Sequence, residues 1–209
     1  MCIRDRLDNG MTVSVSFEMD QGTANNSSLG FDNHSVSVSS DSMGTLTLAG
    51  HGGSSATSAI DTTAAGDMWD NFDGLTVLGA VTLADAAIGN GGEDNSFFYK
   101  SPDVMDGLNF TLSYNPQTAT QKGETGYGVN FSGMEGLSLS YATSDEETQA
   151  GANTSGDNTV MKASYAYGPV TVSYSEMDHD EGLSSGANDT EITSYALSYT
   201  VSDELSCLL

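Results

Sequence analysis

The sequence runs to 209 residues, of which 37% are hydrophobic, and sets 29 acidic side chains against 5 basic ones for a formal charge of −24. Such a polyanion repels nucleic acid and has little electrostatic grip on anionic headgroups. No apolar run reaches 18 residues, which excludes a transmembrane helix but not a membrane β-barrel, whose hydrophobicity is spread over alternate residues.

At the start, Met1-Cys2-Ile3-Arg4-Asp5-Arg6 resembles translated sequencing adaptor, and Ser206-Cys207-Leu208-Leu209 has the same character at the other end. Residues 1–6 and 206–209 are therefore read as non-native. That leaves 7–205 as one unit without cysteine, whose bases are Lys100, Lys122 and Lys162. A disulfide between Cys2 and Cys207 would need native ends, and is not expected.

Within 7–205 the dominant signal is alternation with period two, repeated about ten times. Val13, Val15, Phe17 and Met19 alternate with Thr12, Ser14, Ser16 and Glu18. Val36 and Val38 alternate with serines, and Leu46 and Leu48 with Thr45 and Thr47. After a long gap, Phe97 and Tyr99 oppose Ser96, Phe98 and Lys100. Leu108, Phe110, Leu112 and Tyr114 follow, then strands around Tyr127–Phe131, Leu137–Tyr141, Met161–Tyr167, Val170–Tyr174 and Tyr195–Val201. The polar faces are mostly Ser, Thr, Asn and Gly, which suit the wall of a water-filled lumen. The apolar faces carry Tyr114, Tyr141, Tyr167, Tyr174 and Tyr199 near strand ends, where rings can sit between lipid and water as a girdle. A two-layer β-sandwich explains the alternation equally well.

Connection lengths separate the two. Short links at 41–43, 102–106, 133–135 and 168–169 alternate with long ones at 20–34, 51–94, 115–125, 143–158 and 178–190. An up-and-down membrane barrel requires this arrangement. The expected fold is all-β: an antiparallel up-and-down transmembrane barrel, present as about ten strands in an open curved sheet, with a long inward constriction loop.

Three stretches carry a family resemblance. Leu7-Asp8-Asn9-Gly10-Met11-Thr12-Val13 looks like a periplasmic turn entering a strand, Gly44-Thr45-Leu46-Thr47-Leu48 like a strand leading to a long loop, and Asn95 to Pro102 (NSFFYKSP) like the strand that follows it. In this order they resemble the general trimeric, 16-stranded porins of Gram-negative bacteria. The resemblance implies an outer-membrane channel for passive diffusion of ions and small hydrophilic solutes, a homotrimer in the parent protein, contact with outer-membrane lipid and lipopolysaccharide, and no enzymatic step. It makes 51–94 the third loop, which in this family folds into the lumen. Counted from that loop, the strands are numbers three to twelve, and the sheet should keep open edges. The family often places Arg in the strand after the loop. Here Ser96 and Phe98 hold the inward positions and Lys100 is the only base nearby.

The third loop carries Asp61, Asp67, Asp70, Asp73 and Asp85, candidates for an acidic rim that favours cations; the alternative is an ordinary solvated loop. Trp69 and Phe72 within 67–74 either pin the loop tip to the barrel wall or anchor it elsewhere. Glu18, Lys100 and Lys162 are the candidate lumen-facing charges. Asp145, Glu146, Glu147, Asp178, Asp180 and Glu181 are expected in outer loops.

No cofactor is expected. Asp70-Asn71-Phe72-Asp73-Gly74 has the look of a calcium-loop opening, but its twelfth position is Val81 where an EF-hand needs Glu, so at most a loosely bound calcium remains. His34, His51 and His179 fall in or beside different loops and suggest no zinc site. No nucleophile elbow or glycine-rich nucleotide loop occurs. The second functional reading is a secreted acidic β-sandwich, an adhesin or carbohydrate-binding module.

Overall fold

The computed structural model describes residues 2–19, 31–60, 76–77, 81–82, 94–116, 123–147, 156–180, 182, 189–202 and 205–208. Those residues hold fourteen strands and no helix. They are β1 (Cys2–Arg6), β2 (Thr12–Met19), β3 (Phe31–Ser40), β4 (Gly44–His51), β5 (Thr76–Val77), β6 (Val81–Thr82), β7 (Ser96–Lys100), β8 (Leu108–Asn115), β9 (Glu124–Met134), β10 (Leu137–Glu146), β11 (Asp157–Tyr167), β12 (Val170–Asp180), β13 (Thr190–Ser202) and β14 (Leu205–Leu208). Twelve of them form one sheet in the order β1-β2-β3-β4-β7-β8-β9-β10-β11-β12-β13-β14, and β5 pairs with β6 inside the long connection. Every pairing in the large sheet is antiparallel between successive strands, and its two edges do not meet. The sheet is up-and-down and open.

Two expectations change. The sheet has twelve strands instead of ten, because residues 2–6 and 205–208 each pair along an edge. The strands also run further than the alternation signalled. Asp145 and Glu146 lie in β10, Asp178 and Asp180 in β12, and His34 in β3. These polar, acidic strand tails read as loop in the sequence. The links at that end shrink to 116–123, 147–156 and 181–189, yet still exceed the turns at the other end, such as Glu135-Gly136 and Gly168-Pro169.

The tight turns have local causes. In the β1–β2 turn the Met11 amide donates to Asn9 Oδ1 at 3.1 Å, and the Leu7 amide to the Met11 carbonyl at 2.8 Å. At the β9–β10 turn Gly136 has φ of +76°, where a Cβ would strike the Ala166 carbonyl oxygen.

The two faces keep separate chemistries over most of the sheet. One unbroken rung of directly opposed residues runs Ser14, Ser37, Thr47, Phe98, Ser113, Gly126, Ser144, Asn158, His179 and Thr190. On this polar face Ser96, Thr111, Ser113, Ser144, Ser173 and Ser175 are buried, while Leu46, Leu48, Phe97, Leu112, Tyr127 and Leu197 on the opposite face are exposed. A sandwich would bury the apolar face beneath a second sheet. Here it is bare, so the β-sandwich reading does not hold.

Candidate functional site

The long connection after β4 begins by folding onto the polar face. Residues 55–60, Ser-Ala-Thr-Ser-Ala-Ile, close one compact turn. The Ser55 amide donates to Ser58 Oγ at 2.8 Å and the Ser58 amide to Ser55 Oγ at 3.0 Å, so each hydroxyl satisfies the other's backbone. The Ala59 amide reaches the Ser55 carbonyl and the Ile60 amide the Thr57 carbonyl, both at 3.1 Å. Ser55, Ala56, Thr57 and Ile60 are buried. The turn is tied to the sheet by the Ala56 amide, which donates to Ser113 Oγ at 2.9 Å.

Strand β9 makes room for it. Gly126 lies opposite Ser113, where a Cβ would collide with the Ser113 hydroxyl and stand 3.1 Å from the Ala56 Cβ. Gly128, opposite Thr111, is similarly closed by Thr111 Oγ1 and by the Ala142 Cβ at 3.3 Å. Beside these glycines the polar face turns apolar for one rung, with Ala142, Val160, Met177 and Ile192 directly opposed across β10–β13. Ala56 and Ile60 join this cluster. Apolar burial supplies the main drive for docking, at about 25 cal/mol per Å².

Charge is layered about this anchor. Toward the long-loop end lie Asn115, Glu124 and Glu146, directly opposed and all buried. Just below them Asn158 Nδ2 donates to Ser144 Oγ at 3.2 Å, and His179 Nδ1 stands 2.5 Å from Asn158 Oδ1. Toward the short-turn end Lys162 stands opposite Ser140 and Ser175, and Asn130 Nδ2 donates to Asn109 Oδ1 at 3.2 Å. A cavity of about 330 Å³ opens between the turn and the wall, lined by Ala56, Ile60, Phe98, Lys100, Asn130 and Ser140 among others. The neck of the connection is narrow. His51 Nε2 is 3.6 Å from Asp94 Oδ1, and the Asn95 amide donates to the Gly50 carbonyl at 3.2 Å. Among the described residues no three His, Cys, Asp or Glu side chains converge as metal ligands.

A single sheet with a bare apolar face, a polar face and an inward-docked long loop is porin architecture. A sequence profile of the Gram-negative porin family matches residues 3–208. The chain belongs to this family. No curated protein matches it. Among solved structures, the anion-selective porin from Comamonas acidovorans superposes with a TM-score of 0.59 at 18% identity, over 95% of this chain and 62% of that one. Variants of the Rhodopseudomonas blastica porin give 0.48 at 17–18% identity, over 99% of this chain and 81% of theirs. The chain thus spans less than two thirds of the Comamonas porin. The first likeness establishes the fold, and family membership places the chain in the bacterial outer membrane.

For a porin, the bare face is the lipid face. The tyrosines there form a boundary that descends the register. From Tyr114 on β8, Tyr127 lies one rung lower on β9 and Tyr141 a further rung lower on β10; Met161 is level with Tyr141, and Tyr174 and Tyr195 share the next rung down. Tyr174 and Tyr195 have ring centroids 5.2 Å apart, and the Tyr174 hydroxyl donates to Glu176 Oε2. Beyond the tyrosines the lipid-side positions turn acidic, with Asp145, Asp157 and Asp180 directly opposed across β10, β11 and β12.

Of the residues singled out in the sequence, Tyr114, Tyr141, Tyr167 and Tyr199 are exposed on the lipid face and Tyr174 is half-buried there. Tyr141 and Tyr174 are mid-strand, not at strand ends, because β10 and β12 project past them. Glu18 is exposed on the polar face and accepts from Asn33 Nδ2 at 3.1 Å. Lys100 and Lys162 share that face. Asp61, Asp67, Trp69, Asp70, Phe72, Asp73 and Asp85 lie outside the described residues. Sequence reasoning missed the 55–60 anchor, its glycine floor and the Glu124–Glu146 pair. The available signal was phase: Ala142, Val160, Met177 and Ile192 are apolar on a face that is otherwise polar.

Proposed function

We propose that the full-length protein carrying these strands is a channel for passive diffusion of ions and small hydrophilic solutes, assembled as a homotrimer among outer-membrane lipid and lipopolysaccharide. The observation that carries this reading is the docking of residues 55–60, the start of the longest connection, onto the polar face. A loop held there narrows the lumen and sets the size limit. Diffusion needs neither a cofactor nor a covalent step. The test is reconstitution of the full-length protein in planar bilayers, where stepwise, ohmic conductance increments are expected. Failure to partition into membranes would overturn the reading.

The finer proposal is cation preference. The chain as a whole sets 29 acids against 5 bases. On the described polar face, however, Glu18, Glu124 and Glu146 stand with Lys100, Lys162 and, on the edge strand β1, Arg4 opposite Ser14 and Arg6 opposite Thr12, so the proposed preference rests on the loops. Asp61, Asp67, Asp70, Asp73 and Asp85 in the third loop would add an acidic rim, with Trp69 and Phe72 anchoring its tip. The Comamonas porin is described as anion-selective. At 18% identity that likeness carries the fold and not the lumen charge. A zero-current potential in a KCl gradient decides it: the sign for potassium permeation supports the proposal, and a chloride sign or no potential rejects it.

A further inference from the structure

The cavity beneath the docked turn is amphipathic, and its chemistry is sorted by side. It holds about 330 Å³, near the lower end of small-molecule pockets. Ala56, Ala59 and Ile60 of the docked turn give it an apolar roof. Phe98 flanks it from β7. This ring is half-buried and out of phase with the polar face, where it stands directly opposite Thr47 and Ser113. Toward the short-turn end the lining is polar: first Thr111, then the directly opposed row of Asn109, Asn130 and Ser140.

The two amides are oriented by the wall itself. Asn130 Nδ2 donates to Asn109 Oδ1 at 3.2 Å, and Asn109 Nδ2 donates to Asp103 Oδ1 at 3.3 Å. An amide has two N–H donors and two oxygen lone pairs, so neither bond exhausts its side chain. The Ser140 and Thr111 hydroxyls likewise both donate and accept. Lys100 is the one charged side chain among the described lining residues, and it is exposed. An anion is best held by several charged or donor-only groups converging on it; here one such group stands among neutral ones. A hard cation asks for carboxylates, and the described lining has none. The match is a neutral solute whose polar atoms donate and accept, and which also has an apolar face. A pyranose ring has that form, with hydroxyls around its edge and a C–H face that packs on the electron-rich face of an aromatic ring.

We propose that this cavity is a subsite for a neutral, monosaccharide-sized polyol, its ring face against Phe98 and its hydroxyl edge on Asn109, Asn130 and Ser140. The proposal rests on the reading of the parent protein as a diffusion channel and adds a class of solute that pauses at the wall. Binding there is weak, because a solute on a conducting path must also leave.

The test uses the full-length protein, in micelles of a sugar-free detergent and in planar bilayers. Titration with D-glucose, read by saturation-transfer NMR, should show a saturable site with millimolar half-saturation. Phe98→Leu keeps apolar bulk and removes the ring; Ser140→Ala removes one hydroxyl. Each should weaken binding about threefold to tenfold. Ser14→Ala, on the same face but on β2, should bind as the parent does. Lys100→Gln should shift half-saturation by less than about twofold, since its charge is solvated, and glucuronate should bind no more tightly than glucose. In bilayers, glucose should reduce the open-channel current saturably over the same concentration range. Absence of saturation in micelles overturns the proposal, as does undiminished binding in both Phe98→Leu and Ser140→Ala. Glucuronate binding that exceeds glucose binding and is lost in Lys100→Gln overturns it in favour of an anion site. Conductance steps without saturable glucose binding reject the subsite alone. Saturable binding in micelles without conductance steps supports the subsite and rejects the channel.

Discussion

The Ala56 amide donates to the Ser113 hydroxyl across 2.9 Å, joining residues 57 apart in sequence and fixing the start of the third loop to β8. The bond depends on a third residue. Ser113 can hold this rotamer because Gly126, opposite it, has no side chain. Gly126→Ala should push the hydroxyl away and release Ala56. The anchor loses one buried hydrogen bond, about 1 kcal/mol, together with part of its apolar seat. Larger single-channel conductance and faster proteolytic cleavage within residues 61–93 are the expected outcomes. Ser113→Ala should do the same more weakly, since it leaves the packing intact. Identical conductance and cleavage in both variants would falsify the anchor role.

The apolar rung beside the anchor gives a second measurement. Met177 is buried among Val160, Ile192, Ala56 and Ile60. Truncation of a buried Met to Ala costs about 2–5 kcal/mol. Met177→Ala belongs near the lower end, because a water-lined face relaxes more easily than a closed core. Urea unfolding in micelles should show the midpoint fall. The same truncation at Val172, exposed on the lipid side, should leave the third loop's protease sensitivity unchanged, whereas Met177→Ala should raise it.

Much of this architecture was legible in the sequence because the lumen and the lipid impose opposite demands on alternate residues. Ser14, Ser37 and Thr47 face Ser113 and Ser144 along one rung, as their phase required. The alternation of short and long links gave strand order without any contact information. Three things were hidden. The strand tails at Glu146, Asp157 and Asp178 run past the tyrosine steps and carry polar or acidic residues on both faces, so they lose the alternation that marks a strand. The Ala142–Val160–Met177–Ile192 rung is out of phase with the lumen rule, and only the loop packed on it gives it meaning. The Glu124–Glu146 pair is 22 positions apart in sequence, and register alone brings it together. Residues 2–6 carry no apolar alternation at all, so nothing local announced the strand they form.

The stepped tyrosine boundary leads to a third prediction. Tyr195 is 77% exposed and pairs with Tyr174 across β12 and β13. Tyr195→Ala removes the pair, worth about 0.5–1.5 kcal/mol, and an interfacial anchor. The variant should insert more slowly into phosphatidylcholine vesicles, while the conductance of channels that do form should match the parent. A change in conductance with normal insertion would place Tyr195 on the wrong face.

Asp157 makes the last prediction, because it is flanked on both sides by its own charge. Asp145 and Asp180 stand directly opposite it on β10 and β12, on the lipid-side face above the tyrosines. Like charges directly opposed across strands destabilise a sheet, and salt screens exposed ones over about 10 Å at 0.1 M. Asp157→Asn should therefore stabilise the protein by about 0.5 kcal/mol at low salt. The gain should shrink as sodium chloride is raised, since screening already relieves the parent. Thermal midpoints of parent and variant, measured in EDTA between low and high salt, should converge. A variant less stable than the parent at low salt would show that the three aspartates share a counter-ion, and the repulsion argument for this rung would then be lost.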